Sequence, residues 1–392
     1  MKCYVLCQLS FLVFTIGVLE MPLWSSDYNT FVDCVQANTT SYTTCTLDAS
    51  SYPYFVYSTI YVGGSSKVIS GGSTDPGQTV LQRNGYFSSI FQLGPNAQDV
   101  TFEYLTIDGN RWTYPVSSAI DIDLTPYQNT FNIGVVDTHF KDSPWYGVNT
   151  ATDYTAINYC TFTGAHQTGV ASGNDASHVT LYANTFSRNG GGGVALGGVT
   201  TGNITGNTFS GNGGEFPDSA PDGQLVLHPS NNGITVDANM FDGCVVGTSP
   251  CPANLRVGSG TSNSVRGIEG YGRNNVLYGN TFQYHTGEGI YYVGVKGLTV
   301  QPTWYGQQNV AQSNGFDGIK VWNLSADPSS PFYCSRDITI TGTTSNSNGR
   351  FGIQINYNGY GPINNVQLGT DNTLVGNTLG PLFTNYGSGL CQ

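Results

Sequence analysis

The chain is poor in charge: only 10% of its 392 residues are Asp, Glu, Lys or Arg, against about 25% in an average soluble domain. The helix formers are scarce, with 5 Lys, 5 Glu and 3 Met, while 52 Gly and 17 Pro interrupt long helices. A helical bundle, a coiled coil and a nucleotide-binding fold with many crossover helices are thereby excluded. Basic groups are few, 13 against 25 acidic, for a net charge of −12. No basic patch is available for phosphates, so a nucleic-acid partner is excluded too. The chain has no G-x-S-x-G elbow, no G-x-x-x-x-G-K-[ST] phosphate loop, no H-E-x-x-H and no C-x2-C pair.

What is present is core material. Hydrophobic residues make up 39%, with 25 Tyr and 19 Phe, too many for a disordered chain. An all-β domain remains, single and elongated, because no linker-like stretch divides it. An apolar run from about Cys3 to Leu19, preceded by Lys2, reads as a signal peptide or N-terminal anchor over residues 1–26. The run is short for a membrane span, and no stable membrane insertion is expected after processing. Secretion or display at the cell surface suits the cysteines. Cys34–Cys45, Cys244–Cys251 and Cys334–Cys391 are candidate pairs, which leaves Cys160 over.

Internal repeats set the fold. CTF (160–162), NTF (184–186), NTF (207–209), NMF (239–241) and NTF (280–282) each precede a Gly and a short apolar strand. The first inward residues of those strands read Phe91, Ile120, Val148, Val170, Val194, Leu225, Leu255, Ile290, Ile319 and Ile353. Steps as short as 22–24 residues, stretched elsewhere by inserts, are what three short strands per coil require. The expectation is a right-handed parallel β-helix of about ten coils over residues 67–392, preceded by a cap and first coil over 27–66. Like residues then stack on like, roughly 4.8 Å per coil. Phe140, Phe162, Phe186, Phe209, Phe241 and Phe282 form one interior stack, and Asn184, Asn207, Asn239 and Asn280 form a ladder at a turn. Cys160 shares the ladder's column and reads as a small buried residue. Asp27 to Gln36 suits a short helix covering the open end.

With these repeats the chain resembles the right-handed parallel β-helix (pectate-lyase-like) superfamily of secreted polysaccharide lyases and glycoside hydrolases, over about residues 50–380. The resemblance implies a polysaccharide bound along a groove on one parallel sheet. Residues following the inward anchors should face that groove: Gln92, Asp121, Asn149, Ala171, Ala195, Val226, Arg256, Tyr291, Lys320 and Gln354. Two positions on stand Asp123, Ala151, Gly173, Gly197, His228, Gly258, Val293, Trp322 and Asn356. The middle coils offer a bare Ala/Gly floor, so chemistry is expected toward the C-terminal end, where inserts 211–222, 242–252, 258–273 and 324–336 would wall a cleft.

The candidate catalytic residues are Lys320, Arg256, Glu288, Asp317, Tyr291, His228 and Asp222. Glu288 and Asp317 precede Gly at equivalent positions and should lie one above the other, so that one holds a proton or a cation or base, Lys320 being nearest, sits between them. Trp322, Gln354, Asn356 and Asn149 are candidates for substrate binding. Asp121 and Asp123, expected side by side on the face, are a candidate Ca²⁺ site. Two mechanisms compete. In β-elimination from a uronate, Lys320 or Arg256 would act as base or charge neutraliser, and Tyr291 or His228 would donate to the leaving oxygen. In hydrolysis, Glu288, Asp317 and Asp222 would supply paired carboxylates. A non-catalytic glycan-binding or surface β-helix is the third reading, and the protein is expected to be a monomer. The distribution of charge does not exclude an acidic sugar at the C-terminal end. Residues 1–250 hold 6 basic and 19 acidic groups, whereas residues 251–392 hold 7 and 6.

Overall fold

The computed structural model describes residues 26–125, 130–173, 176–213, 223–243, 266–389 and 391. The expected Cys244–Cys251 pair and the N-terminal signal lie outside the described residues. Among the described residues the strands wind as three parallel sheets of 12, 11 and 12 strands, each pairing with the one three places on except the last strand of the third sheet, which pairs with the one two places before it. The first sheet runs from Thr43–Leu47 to Ile363–Leu368, the second from Tyr54–Val56 to Thr344–Asn346, and the third from Ile60–Val62 to Gly380–Asn385. The first coil is built by Thr43–Leu47, Tyr54–Val56 and Ile60–Val62. Its strands are short and carry Tyr and Thr in place of the N-x-F signature.

One aromatic column fills the interior. Phe140, Phe162, Phe186, Phe209, Phe241 and Phe282 stack nearly parallel with ring centroids 4.5–4.9 Å apart, within the offset-stacking range. Room for the rings comes from glycine: a Cβ on Gly193 would lie 2.6 Å from the Phe209 ring, and one on Gly267 2.7 Å from Phe282. The chain turns from the first sheet to the second through a residue in the left-handed region, as at Tyr159, Ala183 and Ala238.

The asparagine ladder stands at that corner. The Asn184 amide donates to Asn207 Oδ1 (2.9 Å), Asn207 to Asn239 (2.9 Å) and Asn239 to Asn280 (3.0 Å), and the run continues to Asn309 (3.1 Å). Cys160 sits in this column with its N–H on Asn184 Oδ1, buried and with its thiol pushed up to about 12 by desolvation. A second ladder, unforeseen from the sequence, occupies the next corner. Asn189 donates to Asn212, Asn314 to Asn348, and Asn348 to Asn377. Between its halves lies His285, with Nδ1 2.9 Å from Asn314 Oδ1 and Nε2 2.9 Å from the Gln224 amide. Burial lowers this imidazole to about 4, so it is a neutral rung that satisfies buried polar groups.

The helix Ser26–Gln36 packs on the first coil through Tyr28, Phe31 and Val35. The Cys34–Cys45 disulfide ties it down, and buried Lys67 donates from Nζ to the carbonyls of Cys34, Val35 and Ala37 at 2.8–2.9 Å. A second disulfide joins Cys334 to Cys391.

Candidate active site

The third sheet carries the expected outward column with two corrections. Strand register aligns Gln92, Asp123 and Asn149, then Ala171, Ala195 and Val226, and then Glu269, Tyr291, Lys320 and Gln354. The coil after Val226 is therefore built by Arg266–Gly270, with Ile268 inward, and not by the segment around Leu255. Arg256, like Asp222, lies outside the described residues. RGIEG carries a single apolar residue between glycines and reads weakly as a strand, which hid it. The signal was periodicity: Ile268 lies one minimal coil of 22 residues before its partner Ile290.

The second correction concerns the proposed Ca²⁺ site. Ile122, not Ile120, aligns with Val148, so Asp123 faces out while Asp121 falls in the unpaired column that holds Gly147. Strict alternation fails there and the side chain turns inward. Asp121 is fully buried, accepts from the Ser143 hydroxyl at 2.5 Å and lies 3.7 Å from buried Arg83. Burial raises its carboxyl to about 7, against the pull of Arg83. Asp123 instead accepts from the backbone N–H of Thr125 and from Asn149. The two carboxylates face opposite sides of the sheet and cannot share an ion. Among the described residues no group of three or more His, Cys, Asp or Glu converges on a metal position.

The functional side chains do converge on the C-terminal coils. Two columns meet: Arg266, Glu288 and Asp317 at the strand entrances, and Glu269, Tyr291 and Lys320 on the face. Their register is fixed by Gly267 N–H donating to Glu288 O and Gly289 N–H donating to Asp317 O. Glu288 is clamped between two cations. Its Oε2 accepts from Arg266 Nε at 2.9 Å and its Oε1 from Lys320 Nζ at 3.1 Å. Arg266 also donates from Nη1 to Glu269 Oε2 at 2.6 Å, and the Tyr271 hydroxyl donates to Glu269 Oε1. The Arg266 guanidinium lies 4.1 Å from the Tyr291 ring centroid, and Lys320 Nζ lies 3.6 Å from that of Trp322.

Burial and charge push these groups apart. Burial alone would raise Glu288, but Lys320 and Arg266 outweigh it and hold its carboxyl below the ordinary range. Burial raises Asp317, opposed by the Phe351 N–H and by Arg350; its Oδ2 has no hydrogen-bond partner. Desolvation lowers the Lys320 ammonium despite Glu288, and pushes the Tyr291 phenol up to about 12. Lys320 pairs with Glu288 alone, whereas Asp317 accepts from the Phe351 N–H and lies 4.0 Å from Arg350. Both carboxylates are closed off, Glu288 at 2% and Asp317 at 0% exposure.

The rest of the face frames this cluster. His228 is open to solvent, and its coil neighbour is Tyr271, whose N–H donates to Leu227 O. The insert after Trp322 walls one side. Leu324 N–H donates to Phe332 O, and Phe332 meets the Tyr271 ring edge-on at 5.2 Å, leaving a cavity of about 220 Å³. Gln354 and Asn356 extend the face on the next coil beyond Lys320 and Trp322, whereas Asn149 lies beside Asp123 at the far end. Glu269, Arg266 and Tyr271 were missed in the sequence because all three belong to the misplaced coil.

Winding, ladders and a face of converging charges define a right-handed parallel β-helix. The family described as right handed beta helix region matches residues 127–330, and the chain belongs to it. No curated protein matches the chain in sequence. Among solved structures it is similar to the A-module of the mannuronan C-5 epimerase AlgE4 of Azotobacter vinelandii, with TM-score 0.58 and 14% identity over 88% of this chain and 90% of that one. A variant of the periplasmic alginate epimerase AlgG gives TM-score 0.60 and 14% identity over 86% and 74%. The Dettilon tailspike protein gives TM-score 0.54 and 13% identity over 86% and 61%. At these identities the likeness is one of fold.

Proposed function

We propose that the protein is a secreted enzyme acting on a uronate-containing polysaccharide laid along the third sheet, and that its chemistry begins with removal of the proton at C5. The observation that carries this reading is the cation pair Arg266 and Lys320 on the groove face, backed by a buried carboxylate and flanked by His228, Tyr271 and Tyr291. A uronate carboxylate placed over Arg266 and Lys320 has its charge neutralised, which acidifies the adjacent C–H. Desolvation lowers the His228 imidazole below its ordinary value, against the pull of Glu269, so it is neutral near pH 7 and can take the proton. Tyr291 is held as the phenol and suits donation to the departing glycosidic oxygen. The C5–H electrons form the C4=C5 bond, the C4–O bond breaks, and the oxygen leaves protonated. The structural neighbours named as alginate and mannuronan epimerases support a uronate substrate, and epimerisation shares the same first step. The disulfides fit an oxidising compartment.

Hydrolysis is the second reading, favoured by the divergence of Glu288, held ionised, from Asp317, driven toward the acid. Elimination stands ahead because neither carboxylate is open to substrate: Glu288 is clamped between Arg266 and Lys320, and Asp317 is fully buried. Incubation with polymannuronate, polyguluronate and polygalacturonate decides. Ultraviolet absorbance of a C4–C5 unsaturated uronate is expected; new reducing ends without it would establish hydrolysis. Silence on every polymer, with binding retained, would leave a glycan-binding rod.

A further inference from the structure

The corner opposite the groove carries a feature that the groove does not need. Residues 302–309 form an insert between the first and second sheets, and at its tip Trp304 and Tyr305 are 97% and 95% exposed. Adjacent aromatics at such exposure gain nothing from the fold, since neither buries its ring. The insert is nonetheless rigidly held. Thr303 N–H donates to Gln307 O (2.8 Å), Gly306 N–H to Thr303 O (2.9 Å), and the Gln307 N–H to Thr303 Oγ1 (3.0 Å). The Gln307 side-chain amide donates to Gly279 O and the Asn309 amide to Gln301 O. Gly306 supplies the positive φ (+81°) that closes the turn.

Behind the tip lies a cavity of about 760 Å³ lined by Asp237, Tyr278, Gln301, Trp304, Tyr305 and Gln307. Asp237 Oδ1 is buried there without a hydrogen-bond partner, and desolvation raises its carboxyl. No Lys or Arg lines the cavity, in contrast to the groove.

We propose that this pocket is a second saccharide-binding site, independent of the groove and specific for neutral, hydroxyl-rich glycans. Trp304 and Tyr305 present apolar ring faces to the C–H face of a pyranose, and Asp237 with the glutamine amides takes its hydroxyls. The Asp237 carboxylate and the absence of a cation disfavour a uronate. The rigid insert loses little entropy on binding. The site would hold the protein on neutral polymer in a mixed matrix while the groove works on the acidic one.

Affinity electrophoresis of the full chain through gels containing hydroxyethylcellulose, xyloglucan, arabinoxylan or galactomannan tests the proposal, with polygalacturonate as the acidic probe. At least one neutral polymer is expected to retard the protein, with affinity about tenfold weaker in Trp304→Ala and in Asp237→Ala and unchanged in Glu288→Gln. Trp304→Phe should restore most of the affinity lost in Trp304→Ala. Retardation by none of the four polymers, or retardation that survives Trp304→Ala, overturns the proposal. So does retardation by polygalacturonate alone that is lost in Trp304→Ala, since it would assign the pocket to an acidic sugar. A protein retarded through Trp304 yet inactive on every uronate polymer would sink the groove reading and leave this one standing.

Discussion

Two buried cation–carboxylate clusters each draw on the third sheet, one from inside the solenoid and one from its outer face. Arg83, Asp121 and Ser143 lie inside the solenoid near its N-terminal end, with Arg83 and Asp121 both at 0% exposure. Arg266, Glu288 and Lys320 lie on the outer face near the other end, and Arg266 keeps 23% of its side chain exposed. Each shifts its groups strongly. What separates them is direction: the first cluster meets only packed protein, the second a walled groove with aromatic rings and a solvent-open histidine. Perturbed titration identifies a candidate active site only when the perturbed groups also face space a substrate can enter.

The largest effect that could break this contrast comes from Arg266→Ala. The outer cluster would lose the cation that meets substrate, and activity on a uronate polymer should fall about 10²–10³-fold in a steady-state assay. Its removal also frees Glu269 and one oxygen of Glu288. Glu288→Gln should cost stability as well, about 3 kcal/mol by denaturant titration, because Lys320 and Arg266 lose a nearly buried partner. An inner-cluster variant, Asp121→Asn, should leave kcat/KM unchanged within a factor of two.

A pH series sharpens the comparison further. The folded Asp121 carboxyl is raised to about 7, above its unfolded value near 3.8, so the folded state binds the extra proton. Its stability contribution is complete below about pH 4 and is lost as pH rises toward 7. The thermal midpoint of the wild type should carry that falling component, and Asp121→Asn should remove it. In the outer region, turnover should instead fall as pH drops through the lowered His228 value, a limb absent from His228→Ala.

The smallest effect belongs to the floor between the clusters. Ala195→Ser should alter stability by under about 0.5 kcal/mol and KM by less than threefold. A large loss there would mean that the chemistry sits on the middle coils.

The interior was legible in the sequence because it repeats. The Phe stack and the first ladder recur at one coil spacing, so each copy vouches for the next. The second ladder escaped because His285 and Gln224 interrupt it. The candidate site was legible only in part, since its residues do not repeat. Lys320, Glu288, Asp317 and Tyr291 were singled out through Gly-preceded strands. Glu269, Arg266 and Tyr271 were lost with one coil whose single inward Ile gives little periodic signal. Asp121 was misread because alternation holds only where strands pair, and its column is unpaired.

The most direct measurement is proton NMR of polymannuronate, polyguluronate and polygalacturonate after incubation with the wild type and with Arg266→Ala and Lys320→Ala. Olefinic H4 signals from at least one polymer, strongly reduced in both variants, are predicted. Saturated reducing ends alone, no change in any polymer, or full activity in both variants would contradict uronate elimination at this cluster.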